Sequence, residues 1–189
     1  PARPAGGHCG TETGDTLGTP GVQPAVADDW NYRFGIYKNS ADPALHRPDY
    51  TGFSYTPTSW LPKANAYPDF LVKRAAFASC GGYTSTSVKD CEDITGLKLN
   101  SFQKLAAPGD TTGGHKQYGH DRRIVLVPVI NNANQVVDYA CMLMLQPLEI
   151  PMGDVNLEYL GNAGKLFSPC TTSGLAGGSA GPLVPVLVR

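Results

Sequence analysis

The stretch HDRRIVLVPVINNANQVVDYACMLMLQ, His120 to Gln146, constrains the fold more than any other. It holds two apolar runs, Ile124–Ile130 and Tyr139–Leu145, broken by a polar segment that includes Asn131, Asn132, Asn134, Gln135 and Asp138. A membrane-spanning helix needs about 20 consecutive apolar residues. Each run here is much shorter, and Pro128 interrupts the first. The spacing instead predicts two strands joined by NNAN, because asparagine tolerates turn conformations. In the second strand Val137, Tyr139, Cys141, Leu143 and Leu145 share one face, and Ala140, Met142 and Met144 share the other. Two apolar faces predict a strand covered on both sides. Pro128 has no N–H for a ladder, so the first strand is expected at an edge or with a bulge.

The rest of the chain is read around that hairpin. Glycine (22) and proline (16) are abundant and the charged fraction is 16%, below the roughly 25% of an average soluble domain. Such a composition favours turns and strands over long helices. A hydrophobic fraction of 41% supplies a core, and 189 residues suit one domain with an arm. The expected division is an irregular lead-in over residues 1–28 and one β-rich domain over 29–189. DDWNYRFGIYKN alternates Trp30, Tyr32, Phe34 and Ile36 with polar or small residues, which predicts a half-buried strand. From Asp42 to Pro68, five prolines and several aromatic residues predict a long pinned loop. PDFLVKRAAFASC places Phe70, Leu71, Arg74 and Phe77 at helical spacing and gives the one main helix. Cys80 to Gly119 reads as polar and turn-rich, VNLEYLG as a short strand, and Leu183–Val188 as a candidate edge strand. The fold class expected is α+β and β-rich: an antiparallel sheet with a core hairpin, one main helix and long Gly/Pro-rich loops.

Five cysteines, Cys9, Cys80, Cys91, Cys141 and Cys170, contain no CxxC pair, which argues against a zinc ribbon or a thioredoxin-like site. Cys80 and Cys91 flank the loop GGYTSTSVKD. A disulfide there is expected in an oxidising compartment, with about 3 kcal/mol of loop entropy behind it. Cys141 is either a buried thiol or bonded to Cys170, and Cys9 is the odd one left.

No set of residues for catalysis assembles from the sequence. His115, His120 and Asp121 lie in a Gly-rich loop, GGHKQYGHDRR, and are read as solvated rather than as metal ligands or bases. Arg122 and Arg123 are read as partners of local carboxylates. Glu12, Asp15, Asp28 and Asp29 lack the spacing of a calcium loop. TSGLAGGSAG has the glycines of a phosphate loop without its lysine, and SGLAGG lacks the pattern of a nucleophile elbow. Tyr50, Phe53, Tyr55, Trp60 and Tyr67 form a candidate binding surface, on which sugar rings could stack. A net charge of −1 gives no electrostatic reason to expect nucleic acid or an anionic membrane as partner.

The order of WNYRFGIYKN, PDYTGFSYTPTSW, DRRIVLVPVIN, YACMLMLQP, LEYLG and GSAGPLVPVLVR resembles the C-terminal, exported portion of TadE/TadG-like proteins, and GDTLGTPGVQPAVADDWNYRFGIY looks like their lead-in. Those proteins are pilin-related components of the Flp (tight adherence, Tad) pilus assembly system of bacteria. The likeness spans most of the chain, through loose strand and turn patterns. It implies a non-enzymatic structural or assembly part, minor pilin-like, at the periplasm or cell surface. Its partners would be other pilus or pilus-assembly subunits, with no cofactor and with membrane attachment only through the family's N-terminal anchor helix. The D-x-S-x-S metal motif of some TadG relatives is not found in the sequence, so metal-dependent adhesion is not carried over. The competing expectation is a secreted carbohydrate-binding module or hydrolase that uses the aromatic surface.

Overall fold

A computed structural model describes residues 14–16, 24–38, 40–56, 60, 65–76, 87–99, 101–105 and 122–170. They fall into two compact units. The first holds the described residues of 14–16, 124–143 and 159–170. The second holds those from 24 to 123 and 144–158. Helices and antiparallel sheets are both present, a mixed α+β fold.

The first unit is built on the expected hairpin. Strand β3 (Ile124–Ile130) pairs antiparallel with β4 (Val136–Met144), with Leu126 opposite Cys141 and Ile124 opposite Leu143. The turn closes through Asn131, whose side chain accepts from the N–H groups of Ala133 and Gln135, while Asn134 takes a left-handed φ of 58°. Asparagine bears that conformation more readily than most residues. Strand β5 (Leu157–Asn162) completes a sheet ordered β3-β4-β5, so Pro128 lies on an edge strand and a bulge falls between Val129 and Ile130. Cys141 and Cys170 form a disulfide, and with Ala163 they make a small core lined by Ile124, Leu126, Tyr139 and Leu160. Thr16 bridges Gln135, which adds a short stretch beside the start of β4. Of the expected inward face, Cys141 and Leu143 are fully buried, but Val137 is exposed because it sits beside the bulge at the open end.

The second unit departs from the sequence reading. DDWNYRFGIYKN is not a strand: helix α1 runs Pro24–Arg33, inside part of the expected lead-in, and only Ile36–Tyr37 forms a strand, β1. The alternation of aromatic residues is real, but within the helix Ala27 and Asn31, four apart, are buried deepest, and residues 31–37 are buried without a break, so the core does not follow the period of two. Gly35, at φ 75°, ends the helix in the left-handed conformation that glycine supplies without cost. Asn31 binds Leu148 twice, its Nδ2 donating to the carbonyl and its Oδ1 accepting from the N–H, so a buried side chain does the work of a strand partner.

The main helix, α2, spans Ala66–Ala75. Asn65 caps it, and the buried Glu158 carboxylate accepts from the N–H groups of Ala66 and Tyr67. An anion at a helix start meets both orphan donors and the positive end of the dipole. A third helix, α3 (Val88–Thr95), corrects the expectation of a turn-rich segment there. Its signals are Ser87 and Asp90 in a reciprocal capping box and Gly96 at φ 72° as the stop. Strand β2 (Lys104–Leu105) pairs with β1. The Asp42–Pro68 loop contains no helix or strand among its described residues before α2 begins at Ala66.

Candidate functional site

Among the described residues the most unusual polar group is Arg123, which is fully buried although it directly precedes β3. A guanidinium has five N–H donors in a fixed fork. Here Nε donates to Met144 O (3.1 Å), Nη1 to Thr51 O (3.2 Å) and Phe53 O (2.7 Å), and Nη2 to Met144 O (2.7 Å) and Leu145 O (3.3 Å). The rings of Phe34 and Phe70 lie 4.1 and 5.0 Å from its centre. Arg123 therefore does not pair with a local carboxylate through a direct bond. It gathers backbone carbonyls from the loop at Thr51–Phe53 and from the end of β4 at Met144–Leu145, with two aromatic rings beside it. Burial lowers its pKa to about 10, against the opposing pull of Asp49. That leaves it charged at neutral pH.

Asp49, also fully buried, is the nearby countercharge. Its carboxylate accepts from the N–H groups of Arg122 (2.8 Å) and Thr51 (3.2 Å), and its own N–H donates to Arg33 O. Burial raises its pKa and Arg123 opposes the rise. Every donor of the Arg123 fork is engaged by protein carbonyls, so this centre organises the loop of residues 49–56 and offers no unused donor to a substrate.

Of the candidate aromatic surface, Phe53 and Tyr55 lie against helix α2, and Tyr67 is part of that helix. Tyr55 is only 3% exposed, and its hydroxyl donates to Asp69 Oδ2 at 2.7 Å. Burial first, then Asp69, raises the Tyr55 pKa far above its ordinary value. Phe53 meets Tyr55 edge-on and carries Lys73 over its ring, while Tyr67 stacks on Phe70. Tyr50, Phe53, Trp60 and Tyr67 are all partly buried.

Cys91 is disulfide-bonded; Cys80, its expected partner, lies outside the described residues, as do Cys9, His115, His120, Asp121, Leu183–Val188 and the Gly-rich tail. Asp28 pairs with Lys38 and Asp29 lies 3.6 Å from His46. Among the described residues no group of three or more His, Cys, Asp or Glu is placed to hold a metal ion, and no helix is long and apolar enough to cross a membrane.

Sequence reasoning missed one exposed feature. After β5 the chain makes a tight turn in which Ser168 N–H returns to Lys165 O, and Phe167 occupies it at φ 67°. Leu166 is 80% and Phe167 90% exposed. A bulky side chain at positive φ is an outlier costing about 1–2 kcal/mol. The base is firm: Asn162 accepts from Gly164 N–H and donates to Asp138, Ala163 N–H donates to Tyr139 O, and Cys170 is bonded to Cys141. The signal in the sequence was an apolar pair, LF, set between Gly164 and Pro169 where a turn wants polar residues. No family model, curated protein or solved structure matches this chain.

Proposed function

We propose that the chain is a non-enzymatic exported structural or assembly component of a Tad-type pilus, minor pilin-like, acting through protein–protein contacts at the periplasm or cell surface. The observation that carries this reading is the Cys141–Cys170 disulfide, which closes the β-rich unit. Disulfides form and persist in oxidising compartments and are rare in the reducing cytosol. The sequence resemblance supplies the pilus system, and the exposed Leu166–Phe167 pair supplies a surface of the kind that protein contacts use.

The test is genetic and chemical together. Deletion of the gene in the bacterium that carries it should abolish or shorten Flp-type pili, and complementation should restore them. Peptide mapping of the native protein without reductant should recover Cys141 and Cys170 as one linked pair. Normal pili after deletion would overturn the pilus reading, and free thiols in the native protein would overturn export. Binding of a defined sugar on a glycan array, lost in Trp60→Ala, would favour the carbohydrate-binding alternative.

A further inference from the structure

The outer edge of β3 can be read bond by bond. Met144 N–H donates to Arg123 O, and this pair continues the register in which Val125 faces Met142 and Val127 faces Ala140. In an antiparallel ladder bonded and non-bonded pairs alternate. Val125 and Val127 therefore bond across to β4, while Ile124, Leu126 and Pro128 turn their peptide groups away from it. The far side of β4 agrees: Tyr139, opposite Pro128, gives its carbonyl to Ala163 N–H. Pro128, which has no N–H, thus stands where a donor would point out of the sheet. β3 is the outer strand of the order β3-β4-β5, and among the described residues no strand lies beside it. Ile124 to Pro128 are all apolar and all half-buried.

An open edge of this kind invites another strand, and proteins blunt it or cover it. Pro128 and the bulge after Val129 blunt one end of β3. Ile124 and Leu126 still turn both a donor and an acceptor to the open side. We propose that the chain's own segment Leu183–Val188, outside the described residues, covers that edge by adding to β3 as the outermost strand. The segment reads LVPVLV, apolar at every position. Successive β3 residues point to opposite faces and are half-buried on both, so a strand beside them meets apolar neighbours on each side. The proline also falls in step. With Val184, Val186 and Val188 bonded to β3, Pro185 faces outwards, the side of an edge strand where a missing N–H costs nothing. The described chain ends beside this same edge: Cys170 is bonded to Cys141, the residue opposite Leu126, and its sulfur lies 3.6 Å from Val125 O. Residues 171–182 can span up to about 40 Å, more than the roughly 23 Å length of β3. A segment of the same chain meets the edge at an effective concentration on the order of millimolar, which a separate partner would have to match. The proposal stands on this edge and does not need the pilus reading.

Amide exchange of the isotope-labelled, oxidised chain, read residue by residue by NMR, tests it. Ile124 and Leu126 N–H should exchange about 100-fold or more slowly than the amide of Asn132 in the exposed turn. Their amide protons should also show cross-strand contacts with residues 183–188. Removing residues 183–189 should return both amides to the rate of the turn, while Val125 and Val127, bonded to β4, stay slow. Val186→Pro should act like the deletion, and Leu187→Pro, on the outward side, should not. Ile124 and Leu126 amides as fast as Asn132 in the full chain overturn the proposal. So does protection that survives the deletion, or protection that rises with chain concentration, which would put the strand on a neighbouring copy. Should the deletion unfold the whole unit, Val125 would exchange with the rest, and the cross-strand contacts in the intact chain decide alone. A covered edge in a protein whose gene deletion leaves pili normal would keep this strand and sink the pilus reading.

Discussion

The two units solve the same problem, burying irregular backbone, by opposite means. In the first, the backbone groups of β3 and β4 satisfy one another across a regular ladder, and a disulfide ties the following turn to the sheet. In the second, the segment 49–56 runs without a ladder beside residues 144–145, and the side chain of Arg123 collects the carbonyls that a neighbouring strand would have taken. A ladder spreads its energy over many equivalent bonds. A hub concentrates it in one side chain, so the hold on the loop at Thr51–Phe53 rests on Arg123.

The largest expected effect follows from that concentration. Arg123→Lys should destabilise the second unit by about 3–5 kcal/mol in denaturant melts, close to the cost of Arg123→Ala. Lysine keeps the charge but lacks the planar fork, so it cannot reach Thr51, Phe53, Met144 and Leu145 together. A melt of Arg123→Lys within about 1 kcal/mol of wild type would mean that charge alone, and not the set of bonds, holds the loop.

This contrast also accounts for what was legible in the sequence. The β3–β4 hairpin has a period of two, an asparagine turn and a proline that only an edge accepts, so its two strands and the turn between them could be placed in advance. β5 and the Cys141–Cys170 option followed from the same local signals. Helix α1 was misread because Trp30, Tyr32, Phe34 and Ile36 alternate as strand residues do, whereas what faces the core also includes Asn31, a polar residue whose partner Leu148 lies 117 positions away. Helix α3 was hidden by its short length, although Ser87, Asp90 and Gly96 are its proper caps. No local pattern announces Arg123: two arginines before an apolar strand look like partners of local carboxylates, and only the tertiary arrangement of four distant carbonyls makes one of them a core residue. The turn at Phe167 left only the misplaced LF pair as a signal, since its left-handed backbone is one that a phenylalanine side chain disfavours.

The next expected effect tests the regular unit. Leu143 is fully buried in β4, opposite Ile124. Leu143→Ala should cost about 2–5 kcal/mol, as truncations of buried leucine do. Asn132→Ala, in the exposed hairpin turn, should cost less than about 0.5 kcal/mol. Equal melts for the two variants would show that the ladder does not carry the stability assigned to it here.

A third, smaller effect probes the second unit by pH. Tyr55 has a folded pKa raised above its model-compound value of 10.0 by burial and by the hydrogen bond to Asp69. A raised pKa means the folded chain holds this proton after the unfolded chain has released it. The contribution is therefore complete below pH 10 and is lost as pH rises towards the folded value, at up to about 1.4 kcal/mol per pH unit. Arg123 acts in the opposite sense, because its pKa, lowered to about 10, makes the unfolded chain the better proton binder above that pH. The difference between wild type and Tyr55→Phe isolates the tyrosine. Above pH 10 the wild-type advantage should shrink with rising pH; a constant difference would mean that Tyr55 titrates alike in both states.

The smallest expected effect has the opposite sign from the rest. Asn134 and Phe167 both adopt left-handed backbone, at φ 58° and 67°, in turns at the same end of the first unit. Asparagine tolerates that conformation, and its cost there is slight. Phenylalanine gains nothing in return from burial, since Phe167 is 90% exposed. Phe167→Gly should therefore stabilise the isolated chain by up to about 1 kcal/mol, the strain removed less the greater backbone freedom of glycine when unfolded. Asn134→Gly, where little strain exists, should lie within about 0.5 kcal/mol of wild type. Stabilisation in denaturant melts would show that the turn holds Phe167 at the expense of its fold. Destabilisation would instead mean that the ring packs within the fold, and the contrast between a frugal asparagine turn and a strained phenylalanine turn would disappear.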